Sequence, residues 1–311
     1  MRVVTLAGGT GGAKLAHGLQ AALPAGDLTV IANTGDDTER HGLLVMPDHD
    51  AVLYMLADRF DHDRGWGLVN ETWTVMDGLA EYGEEDWFRL GDRDFATHIA
   101  RTARIREGRT LTAAVRSLQD GLAIQTSILP MADEPVRTQV RVDEGWLDFQ
   151  EYFVHRHQAP EVREIRYDGI EAARPTSEVV AALGGAEVIV IGPSNPLVSI
   201  GPILAVPGMA ALLADARGRG VPVVAVSGIV GGVALKGPAD RMLTSLGFES
   251  TARGVASQYV GHIDAFVLDT VDADLEPPIA ELGVRTLVTD TIMADAAGRA
   301  RLARTVLGFA R

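Results

Sequence analysis

Six short apolar runs constrain this chain more than anything else in it. They are residues 2–7 (RVVTLA), 28–33 (LTVIAN), 187–192 (EVIVIG), 222–227 (PVVAVS), 264–268 (DAFVL) and 284–289 (VRTLVT). Val and Ile dominate them, and each is apolar almost throughout. A strand with one wet face would alternate polar and apolar residues, so this pattern predicts strands buried on both faces of a parallel sheet. Helix-like segments follow the first run (LAHGLQAAL, 15–23) and recur at 206–219, 250–260 and 291–307. Strands alternating with helices predict an α/β fold: a Rossmann-like, doubly wound, mostly parallel sheet that binds ligands at the carboxyl ends of its strands.

The middle of the chain reads differently. Residues 51–120 have a mostly helical pattern with many charges and three of the four tryptophans, Trp66, Trp73 and Trp87. Residues 121–170 lean toward β structure, and the "DEG" inside VRTQVRVDEGWLDFQEYFV suggests a hairpin turn. The expected organisation is a core from residues 1–50 and 171–311, with 51–170 inserted as a largely helical lobe carrying a β-hairpin.

Composition narrows the function. The 311 residues include no cysteine, which excludes disulfides, thiolate metal sites and thiol nucleophiles. A formal net charge of −14 argues against nucleic acid as a partner. It also requires that a phosphorylated ligand be met locally, by backbone N–H groups, a few Arg or Lys, or a divalent cation. No apolar stretch reaches the ~18 residues that span a bilayer, and no basic-then-apolar secretory pattern opens the chain. A cytoplasmic protein that does not enter membranes is expected.

The candidate chemistry sits just after the predicted strands. LAGGTGGAK (6–14) has the strand–glycine turn–helix layout that holds a phosphate, with Gly9, Thr10, Gly11, Gly12 and Lys14 as candidate contacts. It is not a Walker A loop, because Ala13 replaces the second glycine and Leu15 follows Lys14. It is not a dinucleotide fingerprint either, because Lys14 stands in for the third glycine. A tight connection with nothing bound is the competing reading. NTGDDTERHG (33–42) offers Asp36 and Asp37 to ribose hydroxyls or a cation, against an Asx-rich turn. MPDHDAVLYML (46–56) puts Asp48 and Asp50 at a helix start. One cap accounts for one Asp, and a pair suits an oxygen-rich Mg²⁺ site. RLGDRDFATHIARTARI (89–105) presents Arg93 as a salt-bridged residue or a fork-shaped donor, and His98 as a ligand contact or a packing residue. IGPSNPLVSIGPIL (191–204) and SGIVGGVALKGPADRM (227–242) complete three glycine-rich loops on strand ends, with Gly192, Ser194 and Asn195 as candidate contacts. Ser194 lacks the G-x-S-x-G setting of a hydrolase nucleophile. Together these loops point to a nucleotide or diphosphate along the sheet edge.

The ordered set GGTGGAK, NTGDD, PDHDAVLY, RGWG, LGDRD-ATH, ILPM-D-PV-T, GPSNP--SIGPIL--PGM and KGPA resembles the 2-phospho-L-lactate transferase family of coenzyme F-420 biosynthesis, from residue 3 to beyond 240. The resemblance implies a Rossmann-like core with an inserted lobe, a homodimer, and Mg²⁺-assisted transfer. A phosphorylated three-carbon acid would pass from a guanosine diphosphate-linked donor to the terminal hydroxyl of the deazaflavin Fo, releasing GMP. The acid is 2-phospholactate in archaeal relatives and phosphoenolpyruvate in actinobacterial ones, and the Ala- and Arg-rich composition favours the latter. The resemblance further implies Asp50 and Arg93 against Fo, together with the candidates His98 and Trp66, and Asp48 and Asp50 near the metal. The guanosine diphosphate would lie on Gly9 to Gly12 and the Gly192 loop, with Lys14 and Asp36 nearby, although the family pattern assigns Lys14 no role. Asp50 and Arg93 are the expected catalytic pair. The competing class is a non-catalytic nucleotide-sugar sensor with a related glycine-rich opening, which would need no Fo pocket. An NAD(P) oxidoreductase shares the fold but not the broken glycine fingerprint.

Overall fold

The computed structural model describes residues 1–311. All six predicted strands form, and a seventh joins them: β1 (Val3–Ala7), β2 (Leu28–Ala32), β3 (Ser127–Pro130), β4 (Val188–Ile191), β5 (Val223–Val226), β6 (Ala265–Asp269) and β7 (Arg285–Thr289). They make one parallel sheet in the order β7-β6-β5-β4-β1-β2-β3. The chain therefore builds outward from β1 to β3, returns to the centre at β4 and builds outward the other way. The crevice between the carboxyl ends of β1 and β4 is the topological switch point, where such folds bind ligands.

The continuous apolar pattern of the strands follows from their burial. Val4, Leu6, Ile189, Ile191, Val223, Ala225, Phe266 and Leu268 face one core. Val3, Ala7, Val188, Val190, Val224, Val226, Ala265 and Val267 face a second core on the opposite side of the sheet. The period of two along each strand sends neighbours to opposite faces, and both faces are covered. On the second face α1 (Gly9–Ala22) packs against α2 (Pro47–Leu56) and against the last helix, Ala296–Phe309. Gly18 permits that crossing: a Cβ there would lie 2.2 Å from the Arg299 carbonyl oxygen.

Residues 127–130, inside the range 51–170, form the edge strand of the central sheet, with Thr29 opposite Ser127 and Ala32 opposite Pro130. Proline is tolerated there because an edge strand has one side without a ladder. The buried Gln119 covers that side, donating to the Ile128 carbonyl (2.7 Å) and accepting from the Ile128 N–H (2.9 Å). A side-chain amide thus stands in for the next strand.

The rest of 51–170 carries the helices Thr74–Glu81, α3 (Asp92–Arg106) and Leu111–Gly121. The predicted hairpin forms from Arg137–Val142 and Gly145–Asp148 and gains a third antiparallel strand, Glu164–Asp168. Val140 and Val142 from this small sheet, with Phe149 and Tyr152 from the helical turn after its second strand, join the first core, so it is packed onto the α/β layer. The predicted final helix begins later than its sequence pattern, because Asp295 caps it by accepting from the Gly298 N–H (2.7 Å). No single helix is long and apolar enough to cross a membrane.

Candidate active site

A cavity of about 1040 Å³ opens along the carboxyl edge of the sheet. Its floor is the switch point, where the loops after β1 and β4 touch. The Gly8 N–H donates to Ser194 Oγ (3.1 Å), and that hydroxyl donates to the Gly8 carbonyl (2.7 Å). A Cβ on Gly11 would lie 2.1 Å from the Pro193 carbonyl oxygen, and one on Gly12 2.5 Å from Ser194 Oγ. These glycines let two loops meet, a steric requirement the sequence could not separate from ligand contact. Gly9, Thr10, Gly11, Lys14, Ser194 and Asn195 line the cavity, whereas Gly12 and Gly192 lie behind it, packed on each other. Asn195 also caps the following turn, accepting from the Leu197 N–H at 2.9 Å. In the third loop, Gly231 and Gly232 have φ of 59° and 81° and form the turn of a short hairpin between Ile229–Val230 and Val233–Ala234.

Two buried carboxylates stand beside the glycine turn. Asn33, just past β2, donates from Nδ2 to Asp48 Oδ2 (2.9 Å) and Asp36 Oδ1 (3.4 Å), and its Oδ1 accepts from the Gly35 N–H (2.8 Å). Both aspartates line the cavity, and neither is paired with a protein cation. Burial, then the Asp48 and Asp37 charges, push the Asp36 carboxyl well up. Burial also raises Asp48, opposed by the Asn33 hydrogen bond. Buried anions without counter-charges are costly, and hard oxygen donors of this kind suit a divalent cation that keeps waters and phosphate oxygens as its other ligands. Asp37 is buried too but lies outside the main cavity, beside Arg137.

The opposite wall is built by α2 and α3. Asp50 pairs with the Arg101 guanidinium, which also donates to the Leu44 carbonyl (3.1 Å). Burial alone would raise the Asp50 pKa, but the Arg101 charge reverses this and holds it well below the usual carboxylate range. His98 Nδ1 lies 3.6 Å from Asp50 Oδ2, and its Nε2 lies 3.2 Å from Asp94 Oδ1, which accepts from Tyr54 OH at 2.5 Å. Asp50, Tyr54, Asp94 and His98 all line the cavity. The helical period explains the set: Asp94, His98 and Arg101 are spaced i, i+4, i+7 on α3, and Asp50 and Tyr54 are spaced i, i+4 on α2.

That same period moves Arg93 elsewhere. It is exposed and does not line the cavity, with Nη1 donating to the Val69 carbonyl (2.8 Å) and its N–H to Glu71 (2.7 Å). Arg93 therefore stands apart from the cavity wall: one residue before Asp94, it points about 100° away from the inner face. Arg101 takes the place beside Asp50. Its position seven residues after Asp94 was the signal that could have found it. The Asp50 charge is matched by Arg101. His49 is wholly buried away from the cavity, and burial lowers its pKa. Trp66 lines the cavity, edge-on to Trp73, among Phe60, Trp87, Phe88, Phe149 and Phe153.

The 2-phospho-L-lactate transferase CofD family model matches residues 3–296. The chain belongs to the CofD family. Among curated relatives, it is 44% identical to a phosphoenolpyruvate transferase from Streptomyces griseus, covering 100% of this chain and 98% of the relative. It is 39% identical to a 2-phospho-L-lactate transferase from Methanosarcina mazei, covering 98% and 99%. The crystal structure of a UPF0052 family member from Bacillus halodurans matches with a TM-score of 0.64 at 15% identity, covering 98% of each chain, and at that identity it bears on the fold alone. The family member described here thus has a doubly wound α/β sheet with its cavity at the switch point.

Proposed function

We propose that this chain transfers a phosphorylated three-carbon acid from a guanosine diphosphate-linked donor to the terminal hydroxyl of Fo, releasing GMP, in coenzyme F-420 biosynthesis. The observation that carries this reading is the division of one cavity into two kinds of wall. One wall has the glycine turn and the unpaired Asp36 and Asp48. The other has Asp50 beside aromatic side chains suited to a flat heterocycle. The names and identities of the relatives support the transferase chemistry, and the higher identity to the Streptomyces proteins favours phosphoenolpyruvate as the acid.

In the proposed reaction the Fo hydroxyl oxygen attacks the phosphorus next to the three-carbon acid, the bond from that phosphorus to the GMP oxygen breaks, and the hydroxyl proton is released. Such a transfer depends on positioning and on neutralising spread charge. Asp36 and Asp48 would hold Mg²⁺, which when bound offsets the diphosphate charge. The Gly9–Gly11 turn and Ser194 shape the floor against which the nucleotide lies. Asp50 lines the cavity, and its buried Oδ2 has no hydrogen-bond partner within the chain; in the proposed complex this carboxylate accepts the bond of the hydroxyl. Arg101 keeps Asp50 ionised and fixed. A carboxylate held so acidic is a weak base, so its proposed work is to orient the hydroxyl and take its proton late.

The test is a mass-resolved assay with Fo and Mg²⁺, offering phosphoenolpyruvyl and phospholactyl guanosine diphosphates in parallel. The expected product is the phosphoenolpyruvyl adduct, lost with EDTA. Absence of either adduct, together with binding of a UDP-sugar without turnover, would replace this reading with the sensor.

A further inference from the structure

The chain has 28 Lys and Arg residues, of which only two, Lys14 and Lys236, are lysines. Both line the same cavity. Lys14 projects from α1 just past the glycine turn, and Lys236 follows the short hairpin of the third loop. They come from distant parts of the sequence, so the fold alone brings them to one place. Neither is in an ion pair. Lys236 Nζ donates to the Gly65 carbonyl, which also accepts from Thr10 Oγ1 (3.4 Å). Many arginines elsewhere are matched by carboxylates, as in Arg217–Asp264 and Arg301–Asp290. Loss of water and then the Lys14 charge lower the Lys236 pKa, while burial and the Arg299 charge lower that of Lys14. In a chain of net charge −14, two unmatched ammonium groups on one cavity call for an anion.

We propose that Lys14 and Lys236 form a two-cation clamp for an oxyanion of the donor. That oxyanion is either a diphosphate oxygen or the phosphate-and-carboxylate end of the three-carbon acid. The proposal rests on the transferase reading and gives Lys14 a role. Lysine suits it because an ammonium on a flexible stem can follow an oxyanion as its geometry changes, whereas a guanidinium imposes one planar fork. It also links the third loop to the first: Lys236 reaches the carbonyl that Thr10 touches, so a bound anion draws on both halves of the fold.

The scarcity of lysine makes the test direct. Reductive methylation of the full chain with ¹³C-formaldehyde labels only Lys14, Lys236 and the Met1 amine, which is tied to Asp27 and serves as an internal control. The labelled protein is titrated with Mg²⁺ and GDP, phosphoenolpyruvate or inorganic pyrophosphate, and binding is followed in parallel by calorimetry. Both lysine signals are expected to move while the Met1 signal stays. Movement with GDP assigns the clamp to the diphosphate, and movement with phosphoenolpyruvate alone assigns it to the acid. In unlabelled protein, Lys14→Met and Lys236→Met should each raise the donor KM roughly 10- to 100-fold and leave the Fo KM unchanged. If GDP does not bind but pyrophosphate moves both signals, the clamp stands and the nucleotide reading falls. A ligand that binds by calorimetry while both signals stay fixed overturns the clamp, as does pyrophosphate leaving them unmoved.

Discussion

Asp48 and Asp50 sit two residues apart at the start of one helix, and the fold gives them opposite surroundings. Asp48 turns to the glycine floor, where Asn33 is its hydrogen-bond partner and Asp36 its neighbour in charge. Asp50 turns to α3, where Arg101 answers it. Burial raises the first and would raise the second, yet the second ends well below its ordinary value. Burial does not decide what a carboxylate does; the charge it meets once buried does. The Asp48 side has no counter-charge within the chain and is incomplete in that sense, and the Asp50 side is complete within it.

Breaking the complete side should have the largest effect. Arg101→Met strands a buried carboxylate and should cost about 3–5 kcal/mol, measured by urea unfolding. Asp50→Asn strands the guanidinium instead, so it should lose stability as well as turnover. The double variant should be more stable than the sum of the two losses predicts, and strict additivity would show that the pair is not coupled.

The incomplete side should respond in the other direction. Asp48→Asn removes one of two repelling charges, so the metal-free protein should hold or gain stability while turnover falls about 100-fold. Added Mg²⁺ should raise the melting temperature of the unaltered protein and not that of the variant. A melting temperature that rises equally in both would move the metal off Asp48.

The two sides should also separate by pH. Asp36 and Asp48 keep their protons to higher pH folded than unfolded, so their contribution to stability falls as pH climbs from about 4 through their raised values. Asp50 does the reverse: its contribution is present above about 4 and is lost as pH drops toward its depressed value. Denaturant titrations across this range should show Asp48→Asn flattening the loss on the alkaline side, and Asp50→Asn flattening the loss on the acid side. The smallest effect is expected at Arg93. Arg93→Ala removes an exposed hydrogen bond to Val69 and should change stability by no more than about 0.5 kcal/mol, with the Fo KM unmoved. A large rise in that KM would return Arg93 to the acceptor site.

Much of the frame was legible in the sequence because its signals are local. Strands buried on both faces show in consecutive Val and Ile, glycine turns show where the chain bends after them, and chain order places those turns at the carboxyl edge. The cavity is where that logic puts it, with Gly9, Lys14, Asp36, Asp48, Asp50, Trp66, His98 and Ser194 on its walls. The edge strand Ser127–Pro130 escaped because four residues ending in proline carry almost no strand pattern. It exists because β2 and Gln119 complete its hydrogen bonds.

The sequence by itself determined the sheet, its two cores and the edge at which a ligand binds, since burial periodicity needs only near neighbours along the chain. Tertiary structure alone decided which aspartate is matched and which is not, that the buried Arg101 and not Arg93 pairs with Asp50, that Gly12 and Gly192 serve loop contact, and that two lysines far apart in the chain line one cavity. Charge pairing and close packing depend on distances through space. Arg101 meets Asp50 at a separation of 51 positions along the chain, a contact no local pattern encodes.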